Sequence, residues 1–224
     1  MLAEYYGVIG FALIAAIFSV IVDHSALKSR TLSSRMDRHR SEWMIAMARR
    51  DVRIVDSQII NGLQNGIAFF ASTALLGIGA AFTLLTAIDN VMQAVSDIPV
   101  LAIGSRTQWE VMSLGLLVIY AYAFFKFGWA YRLINYCAVL LGSVHDVRRG
   151  DDPDPQCLEQ AALAGEMNVL AGRQFNRGLR ALFLSIGYLA WIAGPLAQVL
   201  VTAGIAAILA YRQFHSPALH LLKD

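Results

Sequence analysis

The sequence predicts an all-α integral membrane protein, a four-helix bundle with amphipathic cytoplasmic helices extending from it. Hydrophobic residues make up 57% of the 224 residues and charged residues only 15%, whereas about 25% of a soluble globular chain is charged. Four apolar stretches are long enough to cross a hydrocarbon core of about 30 Å. Lys and Arg are concentrated in two of the intervening segments, which is typical of a membrane protein with a fixed orientation.

The predicted transmembrane helices belong to one membrane domain covering residues 1–224. No basic leading region and no cleavage site accompany the first helix, so we expect it to be retained and not removed as a signal peptide. The second contains 23 uncharged residues, which rise by about 35 Å in an α-helix. The third includes Lys126, whose stem can extend along the helix to bring the ammonium to the interface. The four helices are predicted at about residues 5–22, 66–88, 111–131 and 179–211.

The fourth predicted helix is 33 residues long and is interrupted by Gly194 and Pro195. Proline removes a backbone hydrogen bond, so the pair predicts a kink or a local break. A kink in one tilted span explains the extra length, and we expect that arrangement. Two alternatives stay open: a broken-helix binding site, and a re-entrant hairpin that turns at this pair.

The positive charges predict the orientation. Fourteen Lys and Arg residues lie in residues 23–65 and 132–180, whereas three lie on the opposite side, at Arg106, Arg212 and Lys223. Cytoplasmic loops carry the excess of positive charge, so the cytoplasmic segments are predicted at residues 23–65 and 132–178. The chain should therefore be a multi-pass protein of the bacterial inner membrane, with both termini outside the cytoplasm.

Both cytoplasmic segments have helical patterns. In the first, Ser41 can cap a helix that we expect to run from about Glu42 straight into the second transmembrane helix. In the second, Asp154 is placed as an N-cap and Pro155 as the first helical residue. They follow a cluster of turn-forming residues that begins at Arg148 and should start a helix over residues 156–175.

Four polar residues share one face at the start of the second transmembrane helix. Polar groups at membrane depth are tolerated where they face water or each other, so this face predicts either a hydrated path or hydrogen bonding between helices. The second role contributes about 0.6 kcal/mol per contact, and at most about 2 kcal/mol. The residues are Gln58, Asn61, Asn65 and Ser72.

Charged and polar residues are also predicted to converge where the helices end at the cytoplasmic surface. They predict either a belt of ion pairs and headgroup contacts or the vestibule of an anion or metabolite path. A buried carboxylate needs a partner, so we expect Asp56 to pair with Arg132 or Arg180 between helices. The predicted ring consists of Asp23, Asp56, Lys126, Arg132, Asn135, Arg177 and Arg180.

Other classes of site lack a pattern in the sequence. The chain has no paired His or Cys motif for a metal and no glycine-rich phosphate loop, so we expect neither a metal nor a cofactor. Cys137 and Cys157 lie in segments where thiols stay reduced. No catalytic set can be assembled, so an enzyme is not expected. The net charge of +2 gives no basic field of the kind that attracts nucleic acid.

Several local strings resemble a family of small bacterial and plant membrane proteins catalogued as domain of unknown function five-nine-nine. The resemblance implies a four-helix membrane protein and supplies no activity, cofactor or catalytic residue. It points to the motif positions Asp56, Ser72, Arg132, Asn135, Asn176 and Arg180. The strings are RIVD at 53–56, FFAST at 69–73, FGWAYRLINYC at 127–137, FNRGLRA at 175–181 and YRQFHS at 211–216.

Two functions are compatible with this pattern. The first is a homo-oligomeric inner-membrane protein in which the second helix lines a channel-like or transport-like path for ions or small solutes. The second is a membrane scaffold or accessory subunit that docks a protein partner through its cytoplasmic helices. Small-residue steps such as Gly62 with Gly66 allow close helix packing and favour self-association in either case.

Overall fold

The computed structural model describes residues 5–95, 105–145 and 152–222, and within these ranges the protein is helical without β-strands. Four stretches are long and apolar enough to cross a membrane: α1, α3, α5, and α7 continued through α8. Two 3₁₀ turns lie at Ala26–Arg30 and Ala190–Ala193. The helices are α1 (Tyr6–His24), α2 (Leu32–Ala48), α3 (Ile54–Thr86), α4 (Ile88–Val95), α5 (Arg106–Ser143), α6 (Pro155–Leu189), α7 (Pro195–Phe214) and α8 (Pro217–Leu221).

The centre of the fold is the antiparallel pair of long helices α5 and α6. Glycines on each helix leave room for an aromatic side chain of the other, because a Cβ at Gly178 would lie 2.6 Å from the ring of Phe127 and one at Gly115 would overlap the side chain of Tyr188. Helix α3 packs antiparallel on α5, where Arg53 at its start donates to the carbonyl of Val144. At 38 residues, α5 is about 57 Å long and exceeds the thickness of a bilayer core.

Two apolar cores stabilise opposite ends of this arrangement. Near the ends of α2 and α3, a core of Met44, Met47, Phe127 and other buried side chains joins α2, α3, α5 and α6. At the other end, the indoles of Trp109 and Trp191 are buried beside the start of α5 and the end of α6. We call the end that contains Trp109 and Trp191 the aromatic end of the molecule. The opposite end, which contains Met44 and Met47 of α2, is called the α2 side.

The predicted helix from Glu42 into the second span is wrong. Helix α2 begins ten residues earlier, with the hydroxyl of Thr31 accepting a hydrogen bond from the backbone N–H of Ser34 at 3.2 Å, and it ends at Ala48. The chain then turns before α3 starts at Ile54. Helix α2 packs along the first half of α6, where Gly165 meets Ser41, so burial against α6 fixes a helix whose own sequence is strongly polar.

The predicted single span over residues 179–211 is also wrong. Helix α6 ends at Leu189, and α7 begins at Pro195 and returns along α6. The two helices are antiparallel, because a Cβ on Gly187 would lie 2.8 Å from the Cα of Thr202. In one continuous helix those two residues would be about 22 Å apart. Gly194 makes the turn with a φ of 110°, which residues with a side chain rarely adopt.

This hairpin places the described ends of the chain apart. Tyr5 packs edge-on against Trp191 at the hairpin tip, with ring centroids 5.8 Å apart. Beyond the other end of α1, Arg35 donates a hydrogen bond to the carbonyl of Leu222 at 2.7 Å. Tyr5 and Leu222 therefore lie near opposite ends of α1. The side of the membrane on which each terminus lies stays a prediction.

Other expectations are confirmed. The chain is all-α, and α1 coincides closely with the predicted first span. The predicted spans 66–88 and 111–131 fall in α3 and α5, apart from two residues at the turn into α4. Asp154 caps α6 by accepting from the backbone N–H of Cys157 at 2.7 Å, with Pro155 as the first helical residue. The turn region before it, residues 146–151, lies outside the described residues.

Candidate functional site

Three members of the predicted charge ring come together where α1 meets α6. The Oδ2 atom of Asp23 accepts from Nε of Arg177 at 3.0 Å and from Nη2 of Arg180 at 2.6 Å. The helical spacing of three places both guanidinium groups on the face of α6 that meets the end of α1. Only 12% of the Arg180 side chain and 19% of that of Asp23 are exposed. The two arginines therefore share one carboxylate in a largely desolvated place.

These residues form part of a cavity of about 310 Å³ bounded by α1, α2, α6 and α7, which we call the arginine pocket. Its volume is within the usual range for small-ligand sites, about 300 to 1,000 Å³. Two carboxylates, Asp23 and Asp37, also line it, so positive charge is in excess by four. The basic residues of the lining are Lys28, Arg40, Arg173, Arg177, Arg180 and Arg212.

The wall formed by α2 is held by contacts with α6 and α7. Asp37 pairs with Nε of Arg173 at 2.8 Å, and the side-chain oxygen of Gln213 accepts from the hydroxyl of Ser33 at 3.1 Å. Asn176 in turn donates to that hydroxyl at 3.2 Å. One serine thus connects three helices in the lining of the arginine pocket.

Arg40 also lines the arginine pocket and lies against α6. Its Nη1 donates to the backbone carbonyl of Asn168 at 3.1 Å and to the side-chain oxygen of Asn168 at 3.0 Å. Gly172 leaves room for this approach, since a Cβ there would lie 2.3 Å from Nη1. Burial lowers the pKa of Arg40 from its ordinary value, although Asp37 opposes the shift. An arginine remains charged in proteins.

Sequence reasoning missed the contribution of α2 to this cavity. Arg40 and Asp37 are one turn apart on α2, which the predicted start at Glu42 left outside any helix. The available signal was Thr31, a good N-cap residue followed by a run without proline or glycine. Gln213 and Arg212 were missed because the single-span topology placed them on the opposite side of the membrane.

The remaining ring residues do not join this cavity. Lys126 lies over the ring of Tyr122 at 5.2 Å, and Nε of Arg132 donates to the hydroxyl of Tyr136 at 2.5 Å. In each case the basic side chain contacts a tyrosine one helical turn away on the same helix, α5. The side-chain oxygen of Asn135 accepts from Gln64 on α3 at 2.5 Å, so that residue connects helices.

Asp56 is fully buried and is paired with an arginine, as predicted, but the predicted identity of that arginine is wrong. Its Oδ1 accepts from Nη1 of Arg50 at 2.5 Å and from Nε1 of Trp43 at 2.7 Å. Neither Arg132 nor Arg180 takes part. The turn between α2 and α3 supplies a local arginine, and the carboxylate connects the start of α3 to Trp43 on α2.

The polar face of α3 points away from the rest of the described chain. Gln58, Asn61, Asn65 and Ser72 are all exposed, and none of them makes a side-chain hydrogen bond within the described residues. Among the described residues they therefore form no bond to another helix of the same chain. Whether they line a path stays a prediction.

The helix break at Gly194 and Pro195 leaves one polar side chain enclosed. Gln198, in the first turn of α7, is fully buried, and neither atom of its amide group has a hydrogen-bond partner within the described residues. A Cβ on Gly7 would lie 2.4 Å from its Oε1, so α1 packs directly over the amide. The described residues include no group of three His, Cys, Asp or Glu side chains that could hold a metal.

Comparison with known proteins confirms the family resemblance. The model of the family DUF599, described as a protein of unknown function, matches residues 6–218. No curated protein and no solved structure matches the chain. The match extends from the start of α1 into α8 and so includes the arginine pocket and the exposed face of α3. The chain therefore belongs to the DUF599 family.

Proposed function

We propose that the protein is a homo-oligomeric inner-membrane protein in which α3 faces α3 of neighbouring copies and lines a transport-like path for ions or small solutes. The observation that carries this proposal is an exposed seam along α3. Its positions alternate in steps of four and three residues, the repeat by which helices pack in left-handed coils. They are Gln58, Gly62, Asn65, Phe69, Ser72, Leu76, Gly79 and Thr83, all exposed.

The glycines of this seam support contact with another molecule. Glycine permits close approach of helices in a membrane, and Gly77 has that role toward Tyr120 within the protomer. A Cβ on Gly62 or Gly79 would meet nothing within 4 Å. The space above these two residues is thus available to a second helix.

The polar members of the seam favour water or a partner over lipid. Hydrocarbon offers no hydrogen bonds, so a side-chain amide directed at lipid stays unsatisfied. Ser72 lies seven residues beyond Asn65, which is about 10 Å deeper along the helix axis. A shared, hydrated axis satisfies the groups at both depths. The role proposed is passive and requires no catalytic residue.

We further propose that the α2 side of the molecule lies in the cytoplasm. With the hairpin, Arg212 joins the side that holds the fourteen Lys and Arg residues, and Arg106 stays on the opposite side. This distribution follows the positive-inside rule more closely than a single fourth span would. The N-terminus is then outside and the C-terminus inside.

The test separates a path from simple adhesion between helices. We expect Asn65→Leu to leave the oligomer intact while abolishing uptake or conductance in liposomes, because it removes the polar lining without adding bulk to the glycines. Gly62→Leu should dissociate the oligomer, because a side chain would fill the approach surface. Gly204→Leu is the matched control, since Gly204 is an exposed glycine on α7 with nothing within 4 Å of a Cβ.

The readouts are the mass of the detergent-solubilised complex and the flux of ions across proteoliposomes. If Asn65→Leu loosens the oligomer, the seam is an adhesive contact. If the wild type forms an oligomer that passes no ion or small solute, the transport proposal is wrong, and a scaffold that docks a cytoplasmic partner replaces it. If the protein is a monomer and Gly62→Leu behaves like Gly204→Leu, the seam proposal fails altogether.

A further inference from the structure

A second cavity continues from the arginine pocket toward the aromatic end of the molecule. It has a volume of about 560 Å³ and shares Asp23, Arg177 and Arg180 with the first cavity. We call it the lateral groove. Beyond these residues and His24 its lining is largely apolar, with walls from α1 and α5 and a floor from α6. Those residues are Phe11, Ala15, Ala16, Ser19, Val118, Ile119, Tyr122, Ala181 and Leu184.

The lateral groove runs along the membrane-spanning part of α1. From Asp23 to Phe11 is twelve residues, or about 18 Å along the helix axis. Small side chains, Ala15, Ala16 and Ser19, leave the wall open on the α1 side. The groove thus combines an apolar channel at membrane depth with a pair of arginines at one end.

The arginines at that end have donors to spare. Arg177 and Arg180 bind the same oxygen of Asp23, whereas two guanidinium groups carry ten N–H donors between them. Lys28 and Arg212, which also line the arginine pocket, add further positive charge. Guanidinium groups bind phosphate in a two-pronged geometry, and partly buried positive charge favours an anion in contact with it.

We propose that these two cavities together form a binding site for an anionic amphiphile, with its phosphate in the arginine pocket and one hydrocarbon chain in the lateral groove. Charge complementarity selects the headgroup, and continuity of the two cavities through Arg177 and Arg180 selects a molecule that is polar at one end. The occupant is a membrane phospholipid that carries a net negative charge. The site is independent of α3 and of any flux through the protein.

The experiment uses the full chain, freed of lipid in detergent and titrated with single lipids, with bound molecules counted by native mass spectrometry. We expect phosphatidylglycerol to bind at least about tenfold more tightly than phosphatidylcholine, whose headgroup has no net charge. Arg180→Gln should weaken phosphatidylglycerol binding about tenfold, since it removes one charged contact. Arg132→Gln on α5 is the matched control and should bind like wild type, because Arg132 lines neither cavity.

A second pair of arms separates the lipid from a free phosphate ester. Ala15→Phe fills the lateral groove and should abolish phosphatidylglycerol binding while leaving the binding of glycerol 3-phosphate unchanged. Arg212→Gln, at an exposed position, gives a charge variant that keeps the contacts of Asp23 should Arg180→Gln fail to fold. Equal binding of the two lipids would overturn the proposal. So would glycerol 3-phosphate binding as tightly as phosphatidylglycerol, or lipid binding unaffected by Ala15→Phe.

Discussion

At the scale of single residues, the carboxylate of Asp56 shows how a local contact can replace a predicted long-range one. Sequence reasoning correctly identified a carboxylate that needs a partner, because an unpaired charge in an apolar surround is costly. The predicted partners, Arg132 and Arg180, lie on other helices. The turn at residues 49–53 was invisible in the helical pattern, and that turn brings Arg50 and Trp43 to the same oxygen.

Arg50 is expected to matter more to stability than its exposure suggests. Its side chain is 44% exposed, but its partner Asp56 is fully buried. Arg50→Gln leaves that carboxylate with the Trp43 indole alone and should destabilise the protein by about 2 to 3 kcal/mol. Asp56→Asn should cost less, because the amide oxygen can still accept from Trp43, and adding it to Arg50→Gln should recover part of the loss.

Thermal unfolding of the detergent-solubilised protein measures these effects. Arg49→Gln, which changes the exposed neighbour of Arg50, should melt close to wild type. A double variant no more stable than Arg50→Gln alone would show that the buried carboxylate is not what Arg50 compensates.

At the scale of elements, the hairpin of α6 and α7 is the feature that sequence reasoning described least well. A run of 33 residues with few charges is compatible with a kinked span and with a hairpin, because both bury the same apolar residues. The contact between Gly187 and Thr202 decides between them, and no local pattern encodes it. By contrast, Asp154 and Pro155 were placed correctly, since an N-cap acts within a single turn.

Gly194 should be intolerant of any side chain. Its φ of 110° and ψ of 164° lie in a region used almost solely by glycine. Gly194→Ala is therefore expected to destabilise the protein by about 1 to 3 kcal/mol. Gly204→Ala, in the exposed helical part of α7, should instead stabilise it slightly, because alanine is the better helix former.

Thermal unfolding measures the change in stability of each variant. A loss of stability for Gly194→Ala and a gain for Gly204→Ala would support the strained turn at Gly194. Equal and small effects would mean that the chain passes residue 194 in a conformation open to other residues.

At the scale of the whole molecule, the hairpin changes the topology. The orientation that we propose uses the same charge count as the sequence-based prediction and differs from it because the chain turns back once more, at Gly194. Cysteine labelling in intact cells tests the result. A cysteine at Ala3 should react with a membrane-impermeant thiol reagent, and one at Leu221 should react only after the membrane is opened.

Thr107→Cys and Ser143→Cys, at the two ends of α5, give an outside and an inside reference. The native Cys137 and Cys157 are buried and should stay unlabelled. Labelling of Leu221→Cys in intact cells would contradict the hairpin topology.

The charge ring was predicted only in part, for a reason that applies to all long-range contacts. Arg177 and Arg180 were grouped correctly because three-residue spacing on one helix decides which residues are neighbours. Arg40 and Gln213 reach the same cavity from helices distant in the chain, and their positions depend on how α2 and α7 pack on α6. The periodicity of a sequence shows which residues share one face of a helix, but it does not show which other helix packs against that face.

The shortness of the apolar end of α6 bears on how the protein is made. After Arg180, nine α-helical residues and a four-residue 3₁₀ turn reach the tip, a distance of about 20 Å, against the roughly 30 Å of a bilayer core. Such a segment is a poor substrate for the insertion machinery when it emerges from the ribosome alone. We therefore expect the end of α6 to insert only after α7, which is long and apolar, has been synthesised, so that the two segments enter the membrane together.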